Sequence, residues 1–288
     1  VKPPPFDYTR PRSLADALAA LAEHGADARP LAGGQSLIPL LNLRLARPSL
    51  LVDLNVVPGL ADVRPDDGWL VLGAMVRQRA LERDPQVGRH VPLLSQAARL
   101  AGHPSIRNRG TLGGSLAHAD PSAEYPAVAL ALDAELVARG ASGERVIPAG
   151  EFFVDLFTTA LKPEELLTAV RIPVLPDGTG WAIHEIARRH GDFALAGAAV
   201  VLRKAADATC QHAAIALFGV ATRPLRARAA EQALVGSPLT PERIGEAAAL
   251  AVDAIDEPLS DVHGSAAYRR RMAGVVVRQA LEEASQRT

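Results

Sequence analysis

The sequence predicts an α+β protein of three consecutive units, and three observations lead there. Residues 1–57 alternate helix and strand signals around a Gly-Gly turn. Residues 58–177 do so again around a second one. Beyond the joint at Pro173–Gly180 the pattern segregates, and residues 178–288 read as three apolar strands followed by three helices.

In the first unit, Ser13 is an N-cap with an acid, Asp16, three residues on. Leu14, Ala17, Leu18 and Leu21 form the buried stripe of that helix, and Gly25 ends it. Arg29–Leu31 is a short strand leading into Ala32-Gly33-Gly34-Gln35-Ser36-Leu37, and Leu37–Leu45 continues as an apolar helix. Leu50–Leu54 is a strand, and Pro58-Gly59 makes the joint. The second unit begins with a strand at Trp69–Met75, then helices at Arg77–Arg83 and Val91–Ala101. A long stretch without periodicity, Gly102–Pro121, follows and holds the second turn, Thr111-Leu112-Gly113-Gly114-Ser115. Structureless segments of that length inside compact domains are usually functional. Helix returns at Glu124–Leu132, hairpin strands at Glu135–Arg139 and Val146–Pro148, and a strand at Leu166–Ile172. The last unit has strands at Trp181–Ala187, Gly197–Arg203 and Ala213–Val220. Its helices are Leu225–Leu234, Pro241–Ile255 and Ser265–Gln286, the middle one capped by Thr240 with Pro241 in its first turn.

Totals exclude several classes. The 288 residues are 48% hydrophobic and 22% charged, an ordinary globular composition. A net charge of −1 argues against nucleic acid or an anionic membrane as partner. No apolar run reaches membrane-span length, the start shows no signal-peptide core, and cytoplasm is the expected compartment. The single cysteine, Cys210, rules out an internal disulfide and a cysteine-ligated cluster built by this chain alone. It reads as a small buried residue. No metal site and no catalytic acid–base pair is expected.

The two Gly-Gly turns carry the chemistry. Glycines let backbone N–H groups converge on a ligand, and such a nest suits phosphate oxygens, with Ser36, Thr111 and Ser115 adding hydroxyls. Two such turns fit the two phosphates of one pyrophosphate. No Gly-x-Gly-x-x-Gly fingerprint, Walker loop, Gly-x-Ser-x-Gly elbow or metal-spaced His pair is present, so the anion site belongs to another nucleotide-binding architecture.

Three motifs then resemble a known family: Ala32-Gly33-Gly34-Gln35-Ser36, the run from Asn108 through Pro121, and Gly191-Asp192-Phe193-Ala194. Together they resemble the FAD-binding medium subunit of molybdenum hydroxylases, in the xanthine oxidase family, nearest the carbon monoxide dehydrogenase type. The resemblance covers essentially the whole chain, with motifs in order and spacing. It implies a two-subdomain FAD-binding fold of the vanillyl-alcohol-oxidase/PCMH type, followed by a domain of a three-stranded antiparallel sheet and three helices. It further implies that Ala32, Gly33, Gly34, Gln35 and Ser36 hold the pyrophosphate together with Thr111, Leu112, Gly113, Gly114 and Ser115, mostly through main-chain N–H groups, with Leu37 also assigned to the cofactor site. Phe193 lies against the isoalloxazine, where relatives often carry Tyr. Glu124 stands where Asp commonly contacts FAD, and Leu161 lines the site. His184-Glu185 stands where a Lys often sits, and an acid there would disfavour an anionic reduced flavin. His118 and Asp120 follow the second turn and are assigned to the site as well.

By the same resemblance, a large subunit binds the molybdenum cofactor and a small one carries two [2Fe–2S] clusters, in a dimer of heterotrimers. Electrons from those clusters reach the FAD here and pass on to quinone, NAD or oxygen. Two alternatives stay open: a self-sufficient FAD-dependent oxidoreductase, and a non-redox scaffold that keeps the fold. Arg107 and Arg109 fit phosphate, the cluster subunit or solvent. Arg188-Arg189-His190 fits a solvated hairpin end or a partner contact, and Arg269-Arg270-Arg271 an exposed helix face. Trp69 and Trp181 read as core or interface anchors.

Overall fold

The computed structural model describes residues 2–288. In the first unit β1 (Asp7–Thr9) is followed by α1 (Leu14–His24), β2 (Ala28–Leu31), α2 (Leu37–Asn42) and β3 (Leu50–Asp53). The three strands make a parallel sheet in the order β1-β3-β2. Ser13 caps α1 as expected, its Oγ accepting from the Asp16 N–H at 3.0 Å. Ala17 and Leu21 are fully buried against Leu50, Val52 and Leu54. Helix α2 stops at Asn42, three residues short of the expected end, and Arg44 turns the chain with a positive φ.

The second unit runs through β4 (Val63–Asp66), β5 (Trp69–Gly73), α3 (Gln78–Arg83), α4 (Pro85–His90) and α5 (Pro92–Leu100). Asp84 caps α4 through the N–H groups of Gln86 and Val87. The stretch Gly102–Pro121, expected to be irregular, instead folds into α6 (Pro104–Arg107) and α7 (Leu112–His118). Thr111 is the N-cap of α7, its hydroxyl accepting from the Gly114 N–H at 3.0 Å. Glycines in a helix's first turn erase the apolar periodicity on which a helix is recognised. Next come α8 (Glu124–Ala131), β6 (Glu135–Gly140), β7 (Gly143–Pro148) and α9 (Ala149–Phe152). A small hairpin, β8 (Phe153–Asp155) and β9 (Thr158–Thr159), precedes β10 (Leu166–Pro173). The antiparallel sheet is ordered β4-β5-β10-β6-β7.

The third unit has β11 (Thr179–Ile186), β12 (Ala196–Lys204), β13 (Cys210–Phe218) and a short β14 (Leu225–Arg226). The sheet is therefore four-stranded, order β11-β12-β13-β14, where three strands were expected. Leu225 and Arg226 pair with Leu217 and Ala216 before the helix starts, so α10 spans Arg228–Leu234. Helices α11 (Pro241–Asp253) and α12 (Ala266–Gln286) complete the layer.

Both faces of this sheet are buried, which explains strands that read as unbroken apolar runs. Along β13, Ala213, Ile215 and Leu217 join the core under α10, α11 and α12. Ala214, Ala216 and Phe218 alternate with them and join the core of the second unit. Ile183, Ala199 and Val201 reach that second core from β11 and β12, beside Leu93, Tyr125 and Val128. One continuous core thus fixes the third unit against α5 and α8, and with it the wall of the site described next.

Candidate functional site

The two Gly-Gly segments meet. A Cβ on Gly33 would run into the Arg109 carbonyl oxygen and come within 2.7 Å of the Gly110 Cα, and one on Gly114 would stand 3.5 Å from the Ala32 side chain. At Gly33 only glycine permits this approach of the two segments. Gly34, with φ +74°, turns the first segment into α2.

Their donors are not equivalent. In the second segment the Leu112 N–H donates to Val76 O at 3.0 Å and the Gly113 N–H to Ala74 O at 2.8 Å. The Gly114 N–H goes to its N-cap and the Ser115 N–H to Thr111 O. Thr111, Leu112 and Gly113 are buried, so this segment is bolted to the end of β5 and presents only Gly114 and Ser115. In the first segment no N–H from Gly33 to Leu37 donates to another group among the described residues. Five consecutive unused donors beside a cleft are a ready anion nest. That cleft, of about 370 Å³, is lined by Ala32, Gly33, Gly34, Gln35, Asn55 and Arg109, among others. In the second segment, unlike the first, the main-chain N–H groups from Leu112 to Ser115 already have partners within the chain.

Residues that the sequence reading missed lock the two segments together. Asn55 donates from Nδ2 to Ala32 O at 3.0 Å and accepts on Oδ1 from Arg77, whose guanidinium also donates to Arg109 O. Asp53 anchors Asn55 through side chain and backbone. Burial pushes the Asp53 carboxyl up, but hydrogen bonds from Tyr8 and Asn55 and the charge of Arg10 hold it below its ordinary value. A larger cleft of about 740 Å³ is lined by Asn55 and Arg77 together with Val57, Asp62 and Met75.

Past α7 the chain gathers acids. Burial pushes Asp120 up and His118 down, and the His118 ring lies 5.0 Å from that of Phe157. Glu124, the first residue of α8, is 7% exposed and pushed up to about 8 by burial, then by Glu185 and Asp120. Glu185 on β11 is pushed up to about 7 by burial. Its Oε2 is buried with no hydrogen-bond partner. No Lys or Arg pairs with Glu124 or Glu185 among the described residues. A carboxyl without a counter-charge protonates or awaits a donor from a ligand.

Phe193 projects from the hairpin between β11 and β12 and is 63% exposed, an unusual state for a large aromatic. The same hairpin is seated by Gly191, where a Cβ would come within 2.8 Å of the His103 ring. Leu161 is half-buried and packs against the core of the second unit. Arg107 is buried, donating to Glu82 and to the Ala101 and Gly102 carbonyls, while Arg109 stays exposed at the cleft. Arg188, Arg189 and His190 are exposed. Trp69 and Trp181 each carry an arginine, Arg171 and Arg287, over the ring. Cys210 is buried, which pushes its thiol up and leaves it inert.

Residues 4–175 match the model of the FAD-binding domain in molybdopterin dehydrogenase. The chain belongs to this family. Residues 181–284 match the CO dehydrogenase flavoprotein C-terminal domain. The 6-hydroxypseudooxynicotine dehydrogenase complex subunit alpha of Paenarthrobacter nicotinovorans is 46% identical, over 100% of this chain and 97% of its own length. The carbon monoxide dehydrogenase medium chain of Hydrogenophaga pseudoflava is 42% identical over 98% of both. The solved structure of the Hydrogenophaga pseudoflava carbon monoxide dehydrogenase lacking the Mo-pyranopterin moiety superposes with a TM-score of 0.97, covering 100% of this chain and 99% of that one. The free donors of Gly33–Leu37, the glycine-only approach of the two segments and the orphaned Glu185 oxygen all suit an FAD of this family. No helix is long and apolar enough to cross a membrane among the described residues.

Proposed function

We propose that the chain is the FAD-carrying electron-transfer subunit of a molybdenum-containing hydroxylase or dehydrogenase. The observation that carries this is the row of free N–H groups from Gly33 to Leu37 beside the cleft, in a chain of an FAD-binding family. The first segment grips the pyrophosphate by its backbone. Ser115 and the Gly114 face close the opposite side, and Arg109 contributes positive charge at the mouth. His118, Asp120, Glu124 and Leu161 line the path onward, Glu185 faces it from β11, and exposed Phe193 offers a stacking surface. Bound FAD supplies the exchange between one-electron and two-electron transfer.

The rest of the proposal concerns the partners. One buried cysteine supplies no ligand set for an iron–sulfur cluster, which is consistent with the family arrangement proposed here, in which electrons come from [2Fe–2S] clusters of a small partner. A large partner holds the molybdenum cofactor and meets the substrate, and the assembly is a dimer of heterotrimers. Relatives of similar identity are named for carbon monoxide and for 6-hydroxypseudooxynicotine, which fits substrate choice residing outside this chain. Reduced FAD hands electrons to an external acceptor, quinone, NAD or oxygen.

The test is anaerobic reduction of the reconstituted complex by its substrate, following the flavin absorption band. Bleaching that requires both partners supports the proposal. Bleaching of the FAD-loaded chain alone by substrate contradicts it and favours a self-sufficient oxidoreductase.

A further inference from the structure

The Arg269-Arg270-Arg271 run reads as an exposed helix face, and for Arg271 it is one. Arg269 is not: it is 2% exposed, turned inward from the first turn of α12. Its guanidinium makes four contacts. Nη1 donates to Leu195 O at 2.9 Å and to Gly219 O at 2.6 Å. Nη2 donates to Asp261 Oδ2 at 2.8 Å, and Nε to Gly264 O at 3.3 Å.

The two carbonyls on Nη1 come from segments on either side of the acid cluster. Leu195 closes the Phe193 hairpin, its N–H donating to Ile186 O at 2.8 Å, one residue beyond Glu185. Gly219 receives the turn after α7, its own N–H donating to Pro121 O at 2.7 Å, one residue beyond Asp120. The two segments touch, since a Cβ on Gly219 would come within 2.7 Å of Ala194 O. A single planar group therefore sets the spacing between the hairpin of Glu185 and Phe193 and the turn of Asp120 and Glu124.

Stability alone is a poor reason to bury this charge. Its one carboxylate partner, Asp261, has a side chain 48% exposed, and buried pairs rarely exceed the apolar packing they displace. What the fork supplies is geometry. Its donors lie in one plane at fixed angles, so two carbonyls and a carboxylate are held at once, which an ammonium on a flexible stem does not reproduce.

We infer that Arg269 is a positioning residue of the cofactor site, coupling the Phe193 hairpin to the Asp120–Glu124 turn through the Leu195 and Gly219 carbonyls. The inference rests on the proposed FAD function and deepens it. Arg269 touches neither the anion nest nor the acids themselves, so its effect reaches the cofactor only through these segments.

The test uses the full chain reloaded with FAD, comparing wild type, Arg269→Lys and Arg271→Ala. Affinity is read by flavin fluorescence titration, ring orientation by the visible circular dichroism of the bound flavin, and folding by thermal denaturation. Arg269→Lys is expected to bind FAD about tenfold more weakly, the scale of one displaced charge-assisted contact, with an altered flavin dichroism. Arg271→Ala is expected to match wild type. A folded Arg269→Lys with wild-type affinity and dichroism overturns the inference, even if its melting temperature falls. Should Arg269→Lys fail to fold, Asp261→Asn takes its place: it frees the far nitrogen of the fork and should weaken FAD a few-fold with changed dichroism, and an unchanged result overturns the inference equally. Wild type that takes up no FAD refutes the functional reading instead.

Discussion

Glu185→Gln removes one of two acids on β11 and α8, the half-buried one whose charge raises the buried Glu124, and its effect on stability has a definite sign. In the folded chain Glu124 stands at about 8 and Glu185 at about 7, against an ordinary value of 4.5. Between those limits the folded chain keeps protons that the unfolded chain has released, so stability falls as pH rises. The loss begins near 4.5 and is complete above about 8. Burial holds His118 and His212 below 6.5, and they act in the opposite sense at lower pH, so the slope is read above that value. One pH unit centred near 7 then costs about 1.4 kcal/mol for Glu124 and about half that for Glu185, which titrates across it. Together this is roughly 2 kcal/mol, or about 3 °C in melting temperature for a chain of this size. Glu185→Gln should cut the drop to little more than half, because only Glu124 remains and one charge that raised it is gone. The assay is calorimetry of the FAD-free chain in steps across neutral pH, since bound ligand adds its own stabilisation. A wild-type melting temperature that is flat or rising with pH, or an unchanged slope in the variant, would refute the reasoning.

Other outcomes follow from the same contacts. Gly33→Ala drives a methyl into the Arg109 carbonyl, so it should abolish FAD binding and also lower the melting temperature. Gly114→Ala meets Thr111 Oγ1 within 2.7 Å and should disturb the α7 cap in the same way. Asn55→Ala takes away the bonds to Ala32 O and Arg77, and should weaken FAD by about 10- to 100-fold at about 1–3 kcal/mol, measured by fluorescence titration. Phe218→Ala empties the core shared by the second and third units and lies over Gly197, so unfolding should become easier by about 3–5 kcal/mol in urea titrations. Phe193→Ala, by contrast, should leave stability within about 0.5 kcal/mol, because the ring is already exposed, while changing the spectrum of bound FAD.

The helix caps at Ser13 and Thr240, the apolar strands of the third unit and both Gly-Gly segments were legible because each is a local pattern. What escaped is long-range. The Leu112 and Gly113 donors look free until the segment just after β5 supplies the Val76 and Ala74 carbonyls. Asn55 and Arg77 carry no motif, and their value lies in bridging carbonyls at 32 and 109. Glu124 and Glu185 become an acid pair only when β11 packs on the second unit. Arg269 hides among three arginines because helical phase, not composition, decides which one turns inward, and α12 places Arg269 on the side of Ala273, Val276 and Val277. Strand β14 is two residues long, too short for any periodicity.

The most direct test of the central claim is the absorption spectrum of the purified full chain, with any released cofactor weighed by mass spectrometry. The account predicts oxidised-flavin bands and FAD at one per chain, either as purified or after incubation with FAD. A folded chain that stays colourless after that incubation would contradict it.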